Sequence, residues 1–171
     1  MTITVDQIRA ICPFAPKNVD VFITHLNEFM PKYGIITIEQ VRMFIAQVAH
    51  ESGQLKYTQE IASGKAYEGR KDLGNVNKGD GVKFKGHGCI QITGRFNHEK
   101  VGKALGIDAI NNPELLTTPK YAIESACWFW QSNNLNQFAN DIMGCTKRIN
   151  GGLNGFNERA LFWERAKKVI I

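Results

Sequence analysis

Two carboxylates, Glu51 and Glu60, stand on either side of a chain bend marked by Ser52-Gly53. Acidic side chains facing each other across a groove can protonate a glycosidic oxygen and activate a water for attack. If they lie roughly 6.5–9.5 Å apart, a water fits between them and hydrolysis inverts the anomeric centre. On a helical wheel Glu51 falls near Phe44 and Val48, so its carboxyl is expected to be partly desolvated at a helix C-terminus. Both circumstances favour the protonated form that a general acid needs. A surface glutamate at a fraying helix end is the alternative. Glu68 rivals Glu60 for the water-activating role, unless it simply pairs with Arg70 or Lys71; the bend favours Glu60. This chemistry points to a hydrolase of an amino-sugar polymer.

The second group of candidates lies in the Gly-rich run Phe84-Lys85-Gly86-His87-Gly88-Cys89-Ile90-Gln91-Ile92-Thr93-Gly94-Arg95. A dinucleotide fingerprint fails here, because Gln91 stands where a third glycine is needed and the residues that follow read as a strand. In a strand Gln91 and Thr93 would share one face, placed to hold a sugar or a water, or to form a polar edge. Asn75-Val76-Asn77-Lys78-Gly79-Asp80 is not a calcium loop, since Gly86 falls where the closing Glu belongs. The histidines His25, His50, His87 and His98 have no metal-ligand spacing, and no metal or cofactor is assigned. Of the consecutive Trp128, Phe129 and Trp130, two are expected in the core and one beside a groove.

Helical periodicity predicts the elements that carry these residues. Residues 4–12 form a short helix with Thr4 as cap, and 17–30 a second one stopped by Pro31. A third runs from Thr37 to Ser52-Gly53, with apolar positions around much of its circumference, as in a buried central helix. Residues 63–95 read as loops and a small sheet. Helical pattern returns at 97–105, 119–132, 134–149 and 157–169. The expectation is a mostly helical single domain over residues 1–171, with a Gly-rich insert beside a cleft between two lobes.

The chain of 171 residues carries a net charge of +5, and residues 61–171 hold the excess of Lys and Arg. A basic surface suits an anionic envelope. No dense basic block or recognition motif supports nucleic acid as a partner. Cys12, Cys89, Cys127 and Cys145 are widely spaced and read as reduced, buried thiols, which fits synthesis in the cytoplasm. The N-terminus lacks the pattern of a signal peptide, and no run approaches a membrane span.

Several of these segments together resemble glycoside hydrolase family 19, and within it the short bacterial and phage endolysins. The matching stretches are Ala49-His50-Glu51-Ser52-Gly53, Tyr57-Thr58-Gln59-Glu60, Phe84 to Gly88, Gln91 to Arg95, Asn97, Asn112-Pro113, Ala126 to Trp130, Cys145-Thr146 through Ile149-Asn150-Gly151-Gly152, and Arg159. They run in the family's order over about residues 38–165. The resemblance implies a mainly α, lysozyme-like, two-lobed fold with a small Gly-rich loop and β region beside the cleft. It implies Glu51 as general acid, Glu60 as the carboxylate that activates water, and Thr93 as the residue that positions that water. By the same carry-over Gln91, Asn97 and Asn150 bind sugar, with His50 in the same substrate-binding set, and Arg159 orients the carboxylates. The chain departs from the family where Asn154 replaces a frequent acidic residue after Asn-Gly-Gly, and where His87 replaces the usual Arg between two glycines. The plant members' disulfides have no clear counterpart, and the region before the motifs is too short for a separate wall-binding domain.

The function this implies is an endolysin cutting the β-1,4 glycan strands of peptidoglycan, with a chitinase or a catalytically silent wall-binding protein as alternatives. It would act as a monomer, without stable membrane insertion. It would stay in the host cytoplasm until a separate pore-forming protein let it reach the wall.

Overall fold

The computed structural model describes residues 1–171 and contains eight α-helices: α1 (Val5–Ile11), α2 (Val19–Lys32), α3 (Ile38–Glu51), α4 (Asp80–Lys83), α5 (Arg95–Leu105), α6 (Pro119–Ser132), α7 (Ile142–Asn150) and α8 (Phe156–Val169). The mainly helical class expected from periodicity holds. Thr4 and Thr37 each form a full capping box, with Gln7 and Gln40 returning the bond to the cap's own amide. Helix α2 passes Pro31 and ends only at Lys32. A proline in the last turn forfeits one intrahelical bond and leaves the preceding turns intact.

Helix α3 is the central element. Val41, Met43, Phe44, Ile45, Ala46, Gln47, Val48 and Ala49 are all buried, and its main packing partner is α8. Trp130 of α6 meets Phe44 edge-on, with ring centroids 5.2 Å apart, and donates its indole N–H to Asn136. One core cluster of 35 buried residues draws side chains from Ile3 through Ile170, so both chain ends share the same core. Side chains fasten those ends. Asn27 pairs with both backbone groups of Ile3, while Gln7 and Arg42 donate to the carbonyls of Val169 and Ile170.

The Gly-rich stretch between α3 and α5 contains two short 3-10 turns and α4. The β character expected there reduces to two isolated bridges, Gln59 with His87 and His87 with Ile92. Residues 90–93 are not a strand: Gln91 sits in the left-handed region at φ 56° and closes a turn onto the Gly88 carbonyl. The four cysteines are free and buried. Burial pushes the thiols of Cys12, Cys89 and Cys145 up to about 12. No helix is long and apolar enough to cross a membrane.

Candidate active site

Glu51 is the last residue of α3, and Gln47 lies one turn before it on the same face. Across from them, α8 supplies Arg159, which is only 2% exposed despite its charge. Its guanidinium donates through Nη2 to Glu51 Oε1 at 2.5 Å and through Nη1 to Gln47 Oε1 at 2.6 Å. Gln47 is itself buried, and its amide reaches Thr146 Oγ1 of α7 at 3.4 Å. A forked donor buried between helices holds a carboxylate in one orientation. The expected apolar setting of Glu51 is therefore only part of the picture. The residue is one-fifth exposed and its nearest charged neighbour is a cation.

After Glu51 the chain turns through three successive left-handed residues, Gly53 (φ 55°), Gln54 (φ 65°) and Leu55 (φ 64°). The bend thus extends beyond the Ser52-Gly53 expected from sequence. Two of its residues carry a Cβ, and each costs about 1–2 kcal/mol in that conformation. Buried Ser52 supports the turn, accepting from the Leu55 amide at 2.8 Å and donating to the Val48 carbonyl at 2.6 Å.

The bend returns the chain alongside residues 86–92. The Glu60 amide donates to the Gly86 carbonyl, and Gly88 donates to the Thr58 carbonyl. The Glu60 carboxylate accepts from the Gly86 amide on Oε2 at 2.8 Å and from the Tyr67 hydroxyl on Oε1 at 2.9 Å. Burial first, and Glu60 second, raise the Tyr67 phenol above its usual range, so it remains a donor. Each carboxylate oxygen keeps lone-pair capacity for a further partner. Glu68, the sequence-level rival, is occupied otherwise. It accepts from the amides of Gly79 and Gly81, while Arg70 pairs with Asp72 instead.

Gln91, Thr93 and Asn97 come together on the wall of a cavity of about 430 Å³, which they share with Leu73, Lys100 and Trp128 among others. Thr93 donates its hydroxyl to the Gln91 carbonyl, and the Asn97 amide donates to the Thr93 carbonyl. Gln91 folds tightly over Gly86: a Cβ there would lie 2.5 Å from Gln91 Oε1. A side chain at this position would require Gln91 to shift. Trp128 and Phe129 both line this cavity and Trp130 is in the core, the reverse of the expected two-to-one split.

Two candidates lie differently. His50 Nδ1 faces Glu158 Oε2 at 2.6 Å, and its ring packs on Gly155 so closely that a Cβ would sit 2.1 Å away. Asn150 is exposed as the last residue of α7, with its amide 3.4 Å from the Asn154 carbonyl. Sequence reasoning missed Gln47, Tyr67 and Glu158. Gln47 alone left a signal, as a polar residue on an apolar helix face one turn before an acid. No group of three or more His, Cys, Asp or Glu side chains gathers in a metal-binding arrangement.

Comparison with known proteins places this geometry in context. The profile of chitinase class I, glycoside hydrolase family 19, matches residues 35–147. A Haemophilus influenzae protein described as a glycosyl hydrolase family 19 domain-containing protein is 31% identical over 192 aligned positions, covering 93% of this chain and 94% of that protein. An Arabidopsis thaliana endochitinase is 31% identical over 77% of this chain, which spans only 46% of the plant protein. Chitinase C of Streptomyces griseus superposes with a TM-score of 0.76 at 21% identity, over 98% of this chain and 92% of its own, which shows a shared fold. The match over most of the chain, and the relative matched nearly end to end, establish that this chain is a glycoside hydrolase and belongs to family 19.

Proposed function

We propose that the chain hydrolyses β-1,4-linked strands of N-acetylated amino sugars by a single inverting displacement, with peptidoglycan as the polymer and endolysin as the role. The observation that carries this reading is the different anchoring of the two carboxylates. Glu51 is tied to a buried cation on the helical side, and Glu60 is held by two neutral donors on the loop side.

In the proposed reaction Glu51, one-fifth exposed, first takes a proton from solvent and then delivers it to the glycosidic oxygen. The carboxylate left behind has the Arg159 guanidinium at hand to stabilise it. Glu60 accepts a proton from the attacking water, whose other hydrogen can rest on a Thr93 Oγ1 lone pair, since that hydroxyl's own hydrogen is committed to Gln91. Gln91 and Asn97 would hold the sugar in the cavity beside Thr93. Asn150 would contact the glycan from the exposed end of α7, and His50 would act through the wall it forms with Glu158.

Lys100 supports peptidoglycan over chitin. It is the one ionisable side chain lining the cavity, and peptidoglycan carries anionic stem peptides where chitin is neutral. The net charge of +5 acts in the same direction. A chitinase remains the second reading, favoured by the names of the plant and Streptomyces relatives. On the endolysin reading the protein waits in the host cytoplasm, passes through another protein's pore, and works at the wall as a monomer.

Mass spectrometry of borohydride-reduced fragments from digested peptidoglycan tests the proposal. Reduced muramic acid ends support a muramidase, and reduced glucosamine ends move the cut to the other linkage. Anhydro ends would replace hydrolysis by transglycosylation. No fragments, with turnover of chitin oligomers, would give the chitinase reading instead.

A further inference from the structure

Between the Glu60 segment and the Thr93 segment runs a line of side-chain hydrogen bonds that the steps above do not use. Gln59 Nε2 lies 3.3 Å from His87 Nε2, His87 Nδ1 lies 2.9 Å from His98 Nε2, and His98 Nδ1 lies 2.9 Å from the Gly94 carbonyl. A carbonyl only accepts, so His98 carries its hydrogen on Nδ1 and offers a lone pair at Nε2. His87 then donates from Nδ1, which leaves its Nε2 to accept from the Gln59 amide. One arrangement satisfies every atom: two neutral imidazoles of the same tautomer, each donating in the direction of Gly94. Gln59 immediately precedes Glu60, and Gly94 immediately follows Thr93.

Both rings are buried, at 2% and 0% exposure. They meet edge-on with centroids 5.1 Å apart, and Phe84 packs on His98 from the other side under the Arg95 guanidinium. The backbone of His87 pairs with Ile92 in both directions. Its neighbours Gly86 and Gly88 are the residues whose amides hold Glu60 and Thr58. The pair therefore sits where the two segments of the proposed water-activating half are joined.

We propose that His87 and His98 are positioning residues that fix Glu60 against Thr93, and so govern the activation of water. The proposal rests on the reading of Glu60 as the water-activating carboxylate. A proton added to the pair is accommodated only by turning the Gln59 amide over, which reverses the polarity of the line beside Glu60. It also buries a charge that no carboxylate touches. The charged groups that act on His87 are Lys85, which opposes protonation, and Glu114 and Glu60, which favour it; on His98 it is His87 itself. Burial outweighs them and lowers both imidazoles, His98 to about 4, so the pair stays neutral at neutral pH.

The test compares three variants with the wild type at neutral pH. His98→Leu cuts the line and is expected to lower kcat at least about tenfold while KM changes by no more than about twofold. His98→Gln can donate to Gly94 and accept from His87, and is expected to restore kcat to within about threefold of wild type. Should the leucine variant not fold, Gln59→Leu cuts the line at its exposed end and is expected to lower kcat about threefold. Equal kcat values in the His98→Leu and His98→Gln variants, or losses that fall on KM, overturn the proposal. Nitrogen-15 NMR of the wild type is expected to show both rings neutral with hydrogen on Nδ1, and any other tautomer overturns the proposal. Full activity in Glu60→Gln would instead sink the reading of Glu60, an outcome distinct from the NMR result.

Discussion

Glu51→Ala is expected to destabilise the protein more than Glu51→Gln, because its partner is entombed. Arg159 is 2% exposed and its strongest acceptors are Glu51 and Gln47. Truncating Glu51 leaves a guanidinium charge facing only neutral acceptors. Removing one partner of a buried pair typically costs about 3–5 kcal/mol. Glu51 itself is one-fifth exposed, so water can enter the gap, which places the expected loss near the lower end, at about 3 kcal/mol. Glutamine keeps an acceptor oxygen and loses only the charged share of the bond, about 1 kcal/mol. Urea denaturation at neutral pH reads the difference. With a slope of about 2 kcal/mol per molar, the midpoint should fall by about 1.5 M for alanine and about 0.5 M for glutamine. Glu158→Ala is the comparison, since its bond to His50 is half exposed and its loss should cost under about 1 kcal/mol. An alanine variant as stable as the glutamine variant, or more stable than wild type, would refute the claim that Arg159 depends on Glu51.

Stability should also fall in mild acid. His98 is lowered from 6.5 to about 4, so the unfolded chain binds its proton first. The stabilisation is complete above pH 6.5 and lost as pH falls toward 4, amounting to about 3 kcal/mol. Denaturation midpoints that stay flat across this window would contradict the buried neutral state. Tyr67→Phe removes the donor to Glu60 Oε1, and should lower kcat about tenfold while the thermal midpoint moves little; unchanged kcat would show that the bond is idle. Gly155→Ala drives a Cβ into the His50 ring at a φ of 71°, and should cost about 2 kcal/mol on denaturation. A neutral result would mean that the α8 entry loop moves freely away from His50. The buried thiols should react with Ellman's reagent only as fast as the protein unfolds, and fast labelling of the native protein would contradict their burial.

The helices were legible because their signals are local. Capping threonines and apolar spacing at Ile38, Val41, Phe44, Ile45 and Val48 need no knowledge of the partner. The Gly-rich segment was legible as a break but not as a shape. Alternation at Ile90-Gln91-Ile92-Thr93 resembles a strand by pattern, yet a strand needs a neighbour, and the chain supplies only single bridges. Gln91 and Thr93 still reach one cavity wall, through a turn rather than a pleat. The pairing of Arg159 with Glu51 joins residues 108 positions apart. Spacing alone could not deliver it, and only the family resemblance suggested their association. The two histidines show the same limit: no metal spacing was visible, and their contact with each other exists only once Gly94 and Gln59 are in place.

The left-handed bend after α3 separates two kinds of construction. Before it, Glu51 ends the buried central helix, which packs chiefly against α8. Beyond it, Glu60, Tyr67, Gly86 and Thr93 hang on turns joined by individual hydrogen bonds. Exposed positions on the second side, such as Ile61 and Val76, can change with few neighbours disturbed, while buried ones on the first reach the interior. The two carboxylates thus stand on unlike supports, one on packed helices and the other on turns held by hydrogen bonds. Exchanging the loops around Glu60 would leave the helix that carries Glu51 intact.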